Sequence, residues 1–338
     1  MMKVYEIRKF GIDNLEVVER PQPTLKDDEV LIRVRAVSLN YRDLLVVKGI
    51  FNPQLEMPRI PMSDGAGEVV AVGKNVARFK VGDSVAGTFF QTWEDGEFVM
   101  QHHESALGGN IDGMFAEFVA LNEKGLVRIP ENLSFEEAAA LPCAAVTAWN
   151  ALFEDRPVRS GESVLILGTG GVALFALQFA RAAGARIFIT SSSDEKLERA
   201  KKLGATEGIN YRTVPNWGER VRELTDGRGV DYVVEIGGGG TFDQSVQALK
   251  PKGTISLLGV LTGFTAEVNI YQAFYRMATV KGVYVGSQRM FEEMNGAIEH
   301  NKIQPVIDKI FEFDQAPAAF RHLESGQHFG KVIVKVAS

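Results

Sequence analysis

The stretch Val164-Leu165-Ile166-Leu167-Gly168-Thr169-Gly170-Gly171-Val172 runs an apolar strand into a glycine turn and then into an amphipathic helix. Backbone N–H groups at such a turn and helix start converge on an anion, which makes the arrangement a phosphate cradle. Gly168 permits the tight turn, Gly170 lets a pyrophosphate approach the backbone, and Ala173 is the third small position, where helix packs on strand. Gly171 and Val172 open the helix, and Phe175, Ala176, Phe179, Ala180 and Ala183 continue its apolar face. A second strand, Arg186 to Thr190, follows at the spacing of a strand–helix–strand unit. With both flanks in place, the chain is expected to bind a dinucleotide.

Where a domain specific for NAD places an acid to hold the ribose 2′-hydroxyl, this chain has Ser191, followed by Ser192 and Ser193. A carboxylate there would repel a 2′-phosphate, whereas hydroxyls donate to it. Lys196 falls in the first turn of the next helix, where the macrodipole disfavours a cation by about 0.3–1 kcal/mol. A phosphate seated on that turn would reverse the sign. Asp194 reads as a helix cap rather than a ribose acid. NADP(H) is expected over NAD(H).

The elements that must position these groups fall into two patterns. Residues 1–130 read as short strands divided by glycine turns, among them Val30 to Val34 and Gly67 to Val72, with turns at Gly73-Lys74-Asn75 and Val81-Gly82-Asp83. That is all-β, barrel-like patterning. From about Ser134 strands alternate with helices, the strands being Val164 to Leu167, Arg186 to Thr190, Val230 to Ile236, Thr254 to Leu258 and Val280 to Val285. The helix Asp194 to Leu203 has a cap at Ser193 or Asp194, pairs Glu195/Arg199 and Glu198/Lys202, and Gly204 to end it. A helix from Met290 to His300 and a strand from Lys331 to Val336 do not extend the series and are expected to return to the first unit. The expected division is therefore 1–130 with 286–338, and 131–285 as the dinucleotide-binding domain.

Phe89 to Gly113 is a long aromatic and acidic excursion, a lobe or a lid. Its His102 and His103 are adjacent, and adjacent residues rarely converge on one metal. Both are expected as solvated surface, as are His300, His322 and His328. A chain of 338 residues is long enough for two domains with cores of their own. Its formal charge of −6 leaves no basic footprint for nucleic acid or an anionic membrane. No apolar run reaches the roughly 18 residues of a membrane span, and Met1 to Phe10 is charged and strand-like rather than a leader. The single cysteine, Cys143, admits no internal disulfide and suits a reducing cytoplasm.

Several strings now combine with the late nucleotide domain. They are Leu39-Asn40-Tyr41-Arg42-Asp43-Leu44, Gly65-Ala66-Gly67-Glu68-Val69-Val70, Val81-Gly82-Asp83, Leu141-Pro142-Cys143-Ala144-Ala145-Val146-Thr147-Ala148-Trp149 and Phe329-Gly330-Lys331. Through them the chain resembles the medium-chain dehydrogenase/reductases over nearly its full length. The resemblance implies an α/β protein, a GroES-like β-barrel domain plus a Rossmann domain with a doubly wound parallel sheet. Zinc alcohol dehydrogenases of that family carry Cys-His-Thr-Asp where this chain has Asn40-Tyr41-Arg42-Asp43, and Gly-His-Glu where it has Met62-Ser63-Asp64. Their further cysteine is matched by Cys143. A catalytic zinc needs three protein ligands, usually with histidine, and the relatives' structural zinc needs four cysteines. Neither set is present, so no metal is expected, and Cys143 is expected as a small buried residue near the cofactor.

Without a Lewis acid, a simple ketone or alcohol forfeits much charge stabilisation. A conjugated enone or quinone demands less, because its electron pair delocalises into an enolate or hydroquinone anion. The Asn-Tyr-Arg-Asp string resembles the zinc-free, quinone-oxidoreductase-like branch. That resemblance implies Asn40 and Tyr41 at the nicotinamide, Thr147 at its ribose, Tyr211 at the 2′-phosphate, and Gly286-Ser287 and Phe329-Gly330 along the rest of the cofactor. The expectation is a zinc-independent, NADPH-dependent reductase of conjugated carbonyls or quinones. Tyr41 would donate to the developing oxyanion, and Asn40 would position nicotinamide or substrate. One rival is an alcohol or aldehyde dehydrogenase holding zinc on Cys143, Asp64 and water. The other is a protein that holds NADPH and turns nothing over. An exposed last nucleotide strand, Val280 to Val285, would let a second copy pair to give a homodimer.

Overall fold

The computed structural model describes residues 1–336. Strands β1 (Met2–Ile7), β2 (Leu15–Arg20) and β3 (Glu29–Leu39) are followed by helix α1 (Tyr41–Val47). Next come β4 (Asp64–Val72), β5 (Ser84–Gly87), β6 (Phe118–Asn122) and β7 (Leu126–Arg128), then α2 (Phe135–Ala138) and α3 (Val146–Phe153). From there strands and helices alternate. The series is β8 (Ser163–Leu167), α4 (Gly171–Ala182), β9 (Arg186–Ser191), α5 (Asp194–Leu203), β10 (Glu207–Asn210), α6 (Trp217–Glu223), β11 (Val230–Glu235), α7 (Phe242–Ala248), β12 (Leu249–Leu257), α8 (Ile270–Tyr275) and β13 (Thr279–Gly282). The remaining elements are α9 (Gln288–Asn301), β14 (Ile307–Phe311), α10 (Ala316–Glu324) and β15 (Lys331–Lys335).

The chain divides into two compact units, one made of residues up to Val146 and from Val285 onward, the other Thr147–Tyr284. The change of pattern at Ser134 is the start of α2, which Ser134 and Glu137 cap reciprocally and which packs on β3 and β4. Residues 131–146 therefore lie with the first unit, and the boundary sits at Val146/Thr147 rather than at 130/131.

In the first unit a sheet runs β14-β15-β3-β4-β5-β7, with β6 on the early half of β3. β3 is its spine. Val30, Ile32, Val34, Val37 and Leu39 are buried, packed with Val332 and Val334 of β15 and with Phe320 of α10. β15 lies antiparallel to β3 with Val332 opposite Leu39, which brings the start of β15 against the end of β3. The excursion from Phe89 folds as an aromatic lobe. Phe98 packs on Phe90, Trp93, His102 and His103 with ring centroids 4.9–5.6 Å apart. His102 and His103 are thus half-buried among rings instead of solvated, because their apolar faces have aromatic partners in the same lobe.

The second unit is a parallel sheet in the order β10-β9-β8-β11-β12-β13. β8 and β11 are buried along their whole length, as strands covered on both faces must be. Strand order reverses between β8 and β11, and in such sheets the crevice at the carboxyl ends of that pair receives the ligand. β10 is too short to stand out as a pattern, and Leu197 of α5 closes on its Gly208. β13 stops at Gly282, earlier than expected. Val285 takes φ +58°, a left-handed conformation that a β-branched residue adopts only under constraint and that no strand continues. Among the described residues no helix is long and apolar enough to cross a membrane.

Candidate functional site

At the carboxyl end of β8 the chain turns at Gly168, with φ +77°, and its N–H donates to Thr190 Oγ1 at 3.3 Å. A Cβ built there meets nothing within 4 Å, so the turn borders open space. Gly170 is the N-cap of α4, and no side chain caps that helix. Its first N–H groups, from Gly171 and Val172 on, therefore have no side-chain acceptor. Ala173 is fully buried at the third small position, and Leu174 and Leu177 widen the buried face. The cradle fits a pyrophosphate.

One strand over, Ser191 ends β9 with 3% of its surface exposed, and its Oγ accepts the Ser193 N–H at 3.4 Å. β10 pairs Asn210 with Ser191, and the Tyr211 N–H donates to Ser191 O at 3.1 Å. The Tyr211 ring is exposed. Ser193 caps α5 by accepting the Lys196 N–H, and Lys196 is the third residue of that helix. Ser191, Ser192, Lys196 and Tyr211 share one corner of the sheet. Asp194 is not the cap; it is an exposed acid of the first turn whose Oδ1 accepts from Asn210 Nδ2 at 2.8 Å. Thr147 is buried in the first turn of α3.

The reading of the sequence does not single out the loop across the switch point. β11 ends at Glu235, a buried carboxylate whose Oε1 accepts from the Gly237 N–H (2.8 Å), the Gly238 N–H (3.0 Å) and Thr241 Oγ1 (2.6 Å). Ser245 Oγ donates to its other oxygen. Gly237-Gly238-Gly239-Gly240 is thereby pinned against the loop after β12, where the Gly239 N–H donates to Gly263 O at 3.0 Å. A Cβ on Gly239 would lie 2.0 Å from Thr265 O. Four consecutive glycines after an apolar strand are the signal that identifies this loop.

In the first unit, strings far apart in sequence meet in one buried cluster. β3 ends at Leu39, and Asn40 caps α1 while Asp43 Oδ2 accepts the Asn40 N–H at 2.9 Å. Met62 takes φ +72°, with glycine at 108 and 113 because a Cβ there would lie 2.6 and 2.2 Å from Met62 backbone atoms. The turn carries Ser63 inward. Ser63 N–H donates to Asp43 Oδ1 at 3.3 Å; its Oγ donates to Asp64 Oδ1 at 2.7 Å and accepts from Asn40 Nδ2 at 3.3 Å. Asp64 Oδ2 accepts the Cys143 N–H at 3.0 Å. Lys331, at the head of β15, donates from Nζ to Leu39 O at 2.8 Å and to Asn40 Oδ1 at 2.6 Å. Asn40, Asp43, Ser63, Asp64 and Lys331 are each at most 8% exposed.

Burial pushes the Asp43 carboxyl above the usual carboxylate range, while the Arg42 guanidinium pulls it back. Burial also pushes the Cys143 thiol up, and the Asp64 carboxylate adds to it, so the sulfur stays protonated at neutral pH. Tyr41 opens α1 with 41% of its surface exposed, so it is not an aromatic packed into the sheet.

The other first-unit candidates have backbone duties. A Cβ on Gly286 would lie 2.6 Å from Val146 Cγ1, and Ser287 caps α9. The N–H of buried Phe329 donates to Asp308 Oδ1 at 3.0 Å, and Gly330, at φ +98°, turns the chain into β15. His322 has a partner after all: its Nε2 lies 2.7 Å from Asp308 Oδ2, contrary to a solvated reading.

These residues do not fit a catalytic zinc. Asp64 is committed to Ser63 and the Cys143 N–H, and a lysine ammonium lies in the same cluster. Among the described residues no three His, Cys, Asp or Glu side chains group so as to hold a metal ion.

Two family models match the chain, one described as a zinc-binding dehydrogenase over residues 171–300 and one as an alcohol dehydrogenase GroES-like domain over 26–131. A zinc-type alcohol dehydrogenase-like protein of Schizosaccharomyces pombe is 47% identical, over 96% of this chain and 96% of its own. The 2-methylene-furan-3-one reductase of Solanum lycopersicum is 35% identical, over 98% of this chain and 79% of its own. The crystal structure of an NAD-dependent alcohol dehydrogenase superposes with a TM-score of 0.91 at 35% identity, covering 99% of this chain and 100% of that one.

Proposed function

The chain belongs to the medium-chain dehydrogenase/reductase family and is an oxidoreductase, and on that premise we propose that it reduces conjugated carbonyls or quinones with NADPH and without zinc. The observation that carries this reading is the closed cluster. Asn40, Ser63-Asp64 and Cys143, three places where zinc-dependent relatives bring ligands, meet beside the Lys331 ammonium and are hydrogen-bonded to one another and to it. The Solanum lycopersicum relative is named for a ketone conjugated to a methylene group, a substrate of the class proposed.

When bound, the nicotinamide supplies a hydride. This chain must supply a donor for the oxygen that gains charge and hold the substrate in line. The Tyr41 hydroxyl is the donor in this reading: its O–H can give a hydrogen bond to that oxygen. Asn40 positions nicotinamide or substrate from the adjacent N-cap. The Gly168–Val172 turn holds the pyrophosphate and Thr147 the nicotinamide ribose. Ser191, Ser192, Lys196 and Tyr211 hold the 2′-phosphate, and Gly286-Ser287 and Phe329-Gly330 line the remainder. The single cysteine suits work in a reducing cytoplasm.

A homodimer belongs to the same proposal. β13 is the edge strand of the parallel sheet, and α8 beside it buries none of its residues. Phe264, Ile270, Tyr271, Phe274, Tyr275 and Met277 are 56–77% exposed around that edge. An apolar patch next to open strand hydrogen bonds fits a second copy.

The name of the Schizosaccharomyces pombe relative favours a second reading, an NAD(P)-dependent alcohol or aldehyde dehydrogenase. Absorbance at the NADPH band over a panel of enones, quinones and aldehydes, with and without chelator, separates them. The expected result is turnover of enones or quinones that chelator leaves unchanged, with well under one zinc per chain by elemental analysis. Stoichiometric zinc with chelator-sensitive alcohol oxidation would establish the second reading. Tight NADPH binding with no turnover of any compound would make the chain a holder of NADPH.

A further inference from the structure

An asparagine amide can sit either way round, and its neighbours decide which end is oxygen. At Asn40 they decide it from both sides. Lys331 Nζ has hydrogens to give and no acceptor, so the end 2.6 Å from it is Oδ1. At the other end Ser63 Oγ has given its hydrogen to Asp64 Oδ1 and accepts from Nδ2 at 3.3 Å. One Nδ2 hydrogen is spent there. The second remains, and its direction is set by the two anchors. Lys331 also holds Leu39 O, so one ammonium grips the backbone before Asn40 and the tip of its side chain.

We propose that Lys331 is a positioning residue: it locks the Asn40 amide so that the second Nδ2 hydrogen is presented to nicotinamide or substrate beside Tyr41. An apolar chain would serve packing alone better, because a buried ammonium loses hydration and a well-packed hydrophobe does not. The ammonium shares the cluster with the buried acids Asp43 and Asp64, and the Arg42 guanidinium 3.8 Å from Asp43 makes it two acids against two cations. This inference rests on the reading of Asn40 as a site residue.

The test uses the full chain and the best enone or quinone of the panel. Lys331→Met is expected to lower kcat/KM about tenfold or more while NADPH affinity stays within about twofold. Lys331→Gln still donates to Asn40 Oδ1 and should recover most of the loss. Asn40→Ala alone should lose as much as Lys331→Met, and in that background Lys331→Met should cost less than about twofold more. Losses that multiply would overturn the positioning role, as would a Lys331→Met protein with parental kinetics. Parental kinetics in Asn40→Ala would instead overturn the reading of Asn40 on which the inference rests. Should Lys331→Met not unfold cooperatively, Lys331→Gln decides: kinetics within about threefold of the parent support the role, and a loss equal to that of Asn40→Ala overturns it.

Discussion

Ser191→Asp is the sharpest perturbation of cofactor choice. Ser191 ends β9 and is 3% exposed, and the Tyr211 backbone is tied to it. A carboxylate there has somewhere to go: the Ser193 N–H that Ser191 Oγ accepts would donate to it, at the foot of α5. The variant should therefore fold, with a melting temperature below the parent's because one N–H does not replace the hydration of a buried carboxylate. Were a dianionic 2′-phosphate to lie about 6 Å from it, one negative charge would cost roughly 1.4 kcal/mol even at the dielectric constant of water, and several times that in a less polarisable setting. Burial of Ser191 makes the lower figure a floor, so NADPH affinity should fall at least about tenfold. NADH, which has no 2′-phosphate, should hold or gain, since the new acid can accept from its ribose hydroxyl. Lys196→Ala is the companion: it should weaken NADPH several-fold and spare NADH. Dissociation constants for both nucleotides, from fluorescence titration at low and high salt, check the argument, and the NADPH preference should shrink as salt screens it. Parental NADPH/NADH ratios in both variants would refute the reasoning and move the 2′-phosphate site away from this corner.

Tyr41→Phe keeps the ring of an exposed residue and removes its donor, so kcat should fall at least about tenfold with NADPH affinity intact, and an unchanged kcat would assign the oxyanion to another group. Ile270→Glu with Phe274→Glu should convert a dimer into a folded monomer in sedimentation velocity; a parent that is already monomeric at micromolar concentration would refute the β13 interface. Burial alone would raise the Asp83 carboxyl, but hydrogen bonds from Lys80 and Arg128 bring it down to about 2. A depressed carboxylate stabilises the fold above its unfolded pKa of about 4, and that contribution is lost as pH falls through about 2. Asp83→Asn should therefore melt lower than the parent at pH 7, with the gap closing toward pH 2; a gap independent of pH would mean that packing, not charge, is what the substitution disturbs.

What could be read from the sequence was local. The helix Asp194–Leu203 is found at its expected bounds because its Ser193 cap and its terminal Gly204 lie within a dozen residues, although Glu198 pairs with Lys201 rather than Lys202. The parallel strands β8, β9 and β11 announce themselves as short apolar runs at regular spacing. The turn at Gly168 is legible because its positive φ favours glycine. What could not be read depends on registers that no short window contains. His322 looks solitary until β14 brings Asp308 to it; His102 is a different case, since its ring partner Phe98 is only four residues away but no helical or strand period spans the pair to reveal it.

Lys331 is the strongest case. In sequence it is one basic residue opening an apolar strand, with every local reason to lie at the surface. Its burial follows from β15 returning antiparallel to β3 with Val332 opposite Leu39, which sets its ammonium against a carbonyl 292 residues away. Strings that read separately as departures from a zinc-ligand pattern become, in that register, one hydrogen-bonded network around an ammonium, with Arg42 beside Asp43 as its second cation. A substitution at Asn40 or Ser63 that restored a ligand without removing Lys331 would leave a dication facing a buried cation. Zinc binding should therefore require at least the loss of Lys331 together with the gain of histidines, and single ligand replacements should leave the purified protein without stoichiometric zinc.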